Sequence, residues 1–139
     1  MDFSRLTQLY QDCEIVGNKI IVKNSLIEII KNIKENFGFN MLKEIVGTDY
    51  HEGIELDYRL YSVNDDEDLI ITIFVKDEAE SVSHIFNSAI ADENEIYDLL
   101  GVNFIGNSEQ KRIYMPESWI GHPLKKDYIE NDERLMWNE

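Results

Sequence analysis

The sequence predicts an α+β fold: a mixed, largely antiparallel sheet with helices packed on one face, followed by an irregular C-terminal arm. Three observations carry this. Residues 25–37 repeat apolar side chains at helical spacing, with Leu26, Ile30, Ile33 and Phe37 on one stripe. Residues 54–63 alternate, with Ile54, Leu56, Tyr58 and Leu60 set against Glu55, Asp57, Arg59 and Tyr61, the period of a strand with one wet face. Residues 69–75, Leu-Ile-Ile-Thr-Ile-Phe-Val, are apolar on both faces, which places that strand centrally or under a second cover.

The remaining elements follow in order. Phe3, Leu6, Leu9 and Tyr10 recur at helical spacing behind Asp2 and Ser4, predicting a short helix that ends near Gln11. Lys19–Val22 reads as a short strand. Ser25 and Glu28 form a capping-box pattern at the start of the second helix, and Gly38 supplies its left-handed end. Strands are expected over about 41–46, 54–63 and 68–75, with the turn Asn64-Asp65-Asp66-Glu67 making the last two antiparallel. A third helix is expected from Val82 to Leu100, capped by Ser81 or Ser83 and stopped by Gly101. Its stripe of Val82, Phe86, Ala89, Ile96 and Leu100 has Glu93 in the missing position, so this carboxylate is expected on the apolar face. Glu95 falls about 200° away, on the polar side. A buried carboxylate needs a basic or hydrogen-bonding partner, and Arg112 is the candidate by proximity along the chain.

Composition narrows the function. The chain has 139 residues, 43% of them hydrophobic, enough for one globular unit, divided here into a domain over 1–104 and an arm over 105–139. Thirteen basic and 28 acidic residues give a formal charge of −15, which disfavours nucleic acid and anionic lipid as partners. No run is long enough for a membrane span and no signal pattern opens the chain, so a soluble, cytoplasmic protein without direct membrane insertion is expected. The lone Cys13 and the scattered His51, His84 and His122 offer no metal-ligand spacing. No catalytic residues are assigned. An acid–base pair of Glu93 with His84 or Asp98 is disfavoured, because Glu93 and Asp98 face about 140° apart on one helix.

The arm carries the functional signal. Residues 110–128 hold Lys111, Arg112, Lys125 and Lys126 against Glu117 and Asp127, a local excess of positive charge in an acidic chain. Tyr114, Trp119 and Tyr128 lie among them, and the Gly121-His122-Pro123 turn shapes the backbone. Trp, Tyr and Arg dominate interface cores, so this stretch is expected to lie on another surface.

Glu93-Asn94-Glu95-Ile96-Tyr97-Asp98-Leu99-Leu100-Gly101-Val102-Asn103-Phe104, then Arg112-Ile113-Tyr114-Met115 and Trp119-Ile120-Gly121-His122-Pro123-Leu124-Lys125-Lys126-Asp127-Tyr128, closely resembles the signature of the thirty-kilodalton subunit of respiratory NADH–quinone oxidoreductase, complex I. That family includes small subunits of energy-converting nickel–iron hydrogenases. The resemblance implies a cofactor-free, non-catalytic assembly subunit. It would dock onto the large catalytic subunit of a membrane-bound redox complex, on the cytoplasmic side of the membrane. Iron–sulfur clusters, and nickel–iron or flavin groups, would then sit in partner subunits. It also implies a partner interface of Glu93, Glu95, Tyr97, Asp98, Arg112, Tyr114, Trp119, His122, Pro123, Leu124, Lys125, Lys126 and Tyr128.

Two positions depart from the family pattern: Asn94 stands where Glu-Arg-Glu has arginine, and Asn107-Ser108 replaces the His-Pro that follows Phe-x-Gly. The chain stops at Glu139, short of many respiratory versions, which favours the hydrogenase type. The alternative to an assembly subunit is an independent acidic adaptor or small-ligand module using the outer face of the 54–63 strand.

Overall fold

The computed structural model describes residues 3–126. Helix α1 (Ser4–Leu9) leads into a hairpin of β1 (Cys13–Val16) and β2 (Lys19–Val22), then α2 (Leu26–Phe37). A meander of β3 (Met41–Asp49), β4 (Ile54–Ser62) and β5 (Glu67–Val75) follows. After it come β6 (Glu78–Glu80), α3 (Ala89–Leu100) and β7 (Asn103–Ile105). Five strands form one sheet in the order β1-β2-β5-β4-β3, antiparallel except where β2 runs parallel to β5. β6 and β7 make a separate parallel pair around α3.

Register explains the packing. Ile20, Ile71, Tyr58 and Ile45 align across four strands, as do Val22, Ile73, Leu56 and Gly47, and these rows face the buried side of the sheet. Ile29, Ile30 and Ile33 of α2 and Ile96 and Leu100 of α3 are buried in the same core. On the opposite face Glu55, Asp57, Arg59 and Tyr61 of β4 are half-exposed. The apolar run 69–75 is central, between β2 and β4. Its outward Phe74 nevertheless remains 51% exposed, so that face is not fully covered within the chain.

Several local expectations change. Ser25 makes no side-chain cap at α2; Asp12 Oδ2 instead accepts the backbone N–H of Asn24 and of Ser25, at 2.8 and 3.0 Å. A carboxylate from just before β1 thus takes the Ser25 N–H that the capping box assigns to Glu28. Gly38 ends α2 in the left-handed region, φ +76°, as expected. The third helix begins at Ala89, not Val82. Residues 82–86 form a single turn closed by Phe86 N–H to Val82 O (2.9 Å), and Ser81 Oγ and the Val82 N–H before it donate to Glu93. β1, β6 and β7 are additions: strands of three or four residues carry too few alternations to show a period.

Candidate docking site

Two buried carboxylates on α3 anchor segments on either side of the helix. Glu93 is fully buried, as its place on the apolar stripe requires. Its partner is not Arg112. Oε1 accepts from Ser81 Oγ (2.6 Å) and Asn107 Nδ2 (3.1 Å), and Oε2 from the Val82 N–H (2.8 Å). Burial pushes its carboxyl above the ordinary glutamate range, and the three donors pull the other way without cancelling it. Below it Tyr58 is wholly buried, and its hydroxyl has no hydrogen-bond partner among the described residues. Burial and the nearby Glu93 charge push that phenol far up, so it keeps its proton.

Asp98, also fully buried, is the anchor of the arm. Five residues beyond Glu93, it lies around the helix where residues 112–115 cross. Oδ2 accepts three consecutive backbone N–H groups, from Ile113 (3.0 Å), Tyr114 (2.6 Å) and Met115 (3.0 Å), while Oδ1 accepts Arg112 Nε at 2.7 Å. Burial alone would raise this carboxyl; the Met115 N–H, the Arg112 guanidinium and the other two N–H groups outweigh it and hold it below the usual aspartate range. Arg112 continues the network, donating to the carbonyls of Trp119, Gly121 (2.5 Å) and Asp98 (3.1 Å). One guanidinium thereby fixes three separate backbone positions, which its planar fork of donors permits and an ammonium would not.

The arm is tied down further at its end. His122 Nδ1 lies 2.9 Å from the Asp98 carbonyl oxygen and 3.4 Å from Arg112 Nη2, and the ring packs 6.1 Å from Tyr97. Gly101, φ +78°, gives this ring its room: a Cβ there would lie 2.7 Å from His122 Cδ2. Leu124 N–H donates to Leu99 O (2.8 Å), Lys125 N–H to His122 O (3.0 Å), and Lys126 N–H to Asp49 Oδ2 (2.8 Å). The Lys126 N–H draws the Asp49 carboxyl below its ordinary value, against burial.

The structure therefore sorts the expected interface residues. Glu93, Asp98 and Arg112 are internal and shape the surface rather than form it. Glu95 is half-exposed on the outer side of α3, as are Tyr97, Trp119, His122, Pro123 and Lys125, while Lys126 is exposed; Tyr128 lies outside the described residues. Large apolar side chains point away from the chain: Tyr114 is 63% exposed and Leu124 60%, and Ile113 and Ile120 are each close to half-exposed. Ser81, Asn107 and Asp49 were not expected at the site. Asp49 gave no local signal, since it meets Lys126 across 77 positions of sequence. The two departures from the family pattern meet in space: Asn107 Nδ2 reaches Asn94 Oδ1 (3.4 Å), and Asn94 also binds the backbone of Glu109 and Lys111.

Known proteins agree with the motif. The model of the family described as "Respiratory-chain NADH dehydrogenase, 30 Kd subunit" matches residues 20–134. An NADH-quinone oxidoreductase subunit of Moorella thermoacetica is 32% identical over 133 residues, 88% of this chain and 90% of that protein. Its counterpart in Geobacter sulfurreducens, also an NADH-quinone oxidoreductase subunit, is 33% identical over 115 residues, covering 78% and 71%. A chain in the structure of the membrane-bound sulfane sulfur reductase, an archaeal respiratory membrane complex, superposes with a TM-score of 0.78. It is 21% identical, with 92% of this chain and 84% of that one covered, which is a likeness of fold. With its buried Asp98–Arg112 hub, its α3 signature and these matches over most of its length, the chain belongs to the 30 Kd subunit family of respiratory-chain NADH dehydrogenase.

Proposed function

We propose that this chain is a non-catalytic assembly subunit of a membrane-bound redox complex related to complex I, docking through the arm and the outer side of α3 onto the large catalytic subunit. The observation that carries this reading is the inversion of the arm. Its inward contacts are polar and largely backbone, made to Asp98, Leu99 and Asp49, whereas Ile113, Tyr114, Ile120 and Leu124 face solvent. A segment folded only for its own stability would turn those side chains inward, where each full burial is worth about 1.5–3 kcal/mol. Held this way, they form a preorganised apolar surface of the residue types that anchor interfaces.

Attachment to the membrane is then through other subunits, since among the described residues no helix is long and apolar enough to cross one. Redox cofactors would belong to those subunits too. Recovery of the tagged full chain from native membranes tests the reading. Co-purification with iron–sulfur and quinone- or nickel–iron-type subunits supports it, and the latter pair tells the respiratory from the hydrogenase type. Recovery as a monomer with no redox subunit attached favours the independent acidic module instead.

A further inference from the structure

Beside the arm, an open groove of about 300 Å³ runs between the edge strand β3 and α3. Its walls are apolar, with Ile96 and Leu99 on one side, the β3 backbone at Gly47 on the other, and Leu124 of the arm at one end. Gly47 leaves room at the floor: a Cβ there would fall 2.6 Å from Leu100 Cδ1 and push that side chain aside. The rim is acidic, formed by Glu44, Asp92 and Glu95, and none of the described residues lining it carries positive charge. Glu44 is partly matched by Arg59 at 3.2 Å, with both side chains nearly half-exposed. Asp92 accepts the Ile45 N–H (3.1 Å), yet burial first, and then the Glu95 and Glu44 charges, push its carboxyl up. The three carboxylates therefore repel one another around an apolar slot.

We propose that this groove receives a segment of a partner subunit that inserts a bulky apolar side chain flanked by lysine or arginine. The apolar walls supply burial for the inserted side chain, and an incoming cation relieves the repulsion at the rim. A second copy of this chain is the poorer occupant, since it brings the same rim and a formal charge of −15. The proposal rests on the assembly reading above and adds to it which surface beyond the arm is used and what chemistry fits it.

A photo-crosslinking amino acid placed at Glu95, and in a second preparation at Tyr114, in the full chain within the assembled complex tests this. Capture from Glu95 of another subunit's peptide, with an apolar residue next to lysine or arginine, is expected. The charge swap Glu95→Lys should lower recovery of the complex roughly fivefold or more without lowering the melting of the free chain, whose rim repulsion it relieves. Capture from Tyr114 but not from Glu95 overturns the groove and leaves the assembly reading standing; capture from neither overturns both. Capture from Glu95 of an acidic segment, of a second copy or of residues 127–139 of the same chain also overturns it, as does full recovery of the Glu95→Lys complex.

Discussion

At the scale of single residues, the two buried carboxylates of α3 behave oppositely. Asp98 is held ionised by one guanidinium and three N–H groups, so removing it strands Arg112 without its counter-charge. Asp98→Ala should weaken attachment of the arm by about 3 kcal/mol, the order found on breaking buried pairs. Limited proteolysis reads this directly: cleavage within residues 105–126 should be slow in the wild type and fast in the variant, while the sheet persists. Because its folded pKa is depressed, the stability Asp98 contributes is present above the ordinary aspartate value of about 3.9 and is lost as pH falls through the lower folded value.

Glu93 has the reverse sign. Its folded pKa is raised, so the folded chain holds a proton that the unfolded chain has released, and stability declines as pH rises from about 4.3 towards the raised value. Glu93→Gln should abolish that decline. It should also cost about 1–3 kcal/mol near pH 4, because an amide NH₂ then faces one of the donors from Ser81, Val82 and Asn107. Urea unfolding midpoints of both proteins across pH 4–8 check the slope and the offset together; parallel curves would remove Glu93 as its source.

At the scale of elements, what the sequence made legible was whatever carried a long period. The α2 stripe, the β4 alternation and the two-faced apolar run of β5 appear where expected. So do the short strand β2 and the glycine ends of α2 and α3; the caps at the helix starts did not, because distant groups take part in them, and β1, β6 and β7 are too short to show a period. Asp12 reaches the start of α2 from just before β1, and Ser81 and Val82 spend their donors on Glu93 from ahead of α3. Asp12→Ala should therefore lower stability by about 1 kcal/mol and Ser25→Ala by much less, measured by thermal unfolding. Equal losses would return the cap to Ser25. The site was partly legible in the same sense: Glu93 fell on the apolar stripe by counting, whereas the pairing of Arg112 with Asp98 depends on how the arm crosses α3, which no spacing encodes. The neighbouring Asn94 and Asn107 show the same limit. They read as two separate departures until the fold brings their amides within 3.4 Å.

At the scale of the whole molecule, a sheet domain presents a folded arm whose polar groups are satisfied inward and whose apolar groups face out. Charge adds direction: the chain is strongly acidic, yet Lys111 lies three residues before exposed Tyr114, and Lys125 and Lys126 directly follow exposed Leu124. Such a surface is stable while solvated and complete only when covered. The central claim is that a partner covers it, and hydroxyl-radical footprinting of the full chain, free and in the assembled complex, tests this most directly. Tyr114 and Leu124 should be oxidised readily in the free chain and protected several-fold in the complex, while exposed Leu9 of α1, beside the opposite edge strand β1, reports the unassembled level in both. Equal oxidation of Tyr114 and Leu124 in the two states would contradict the account.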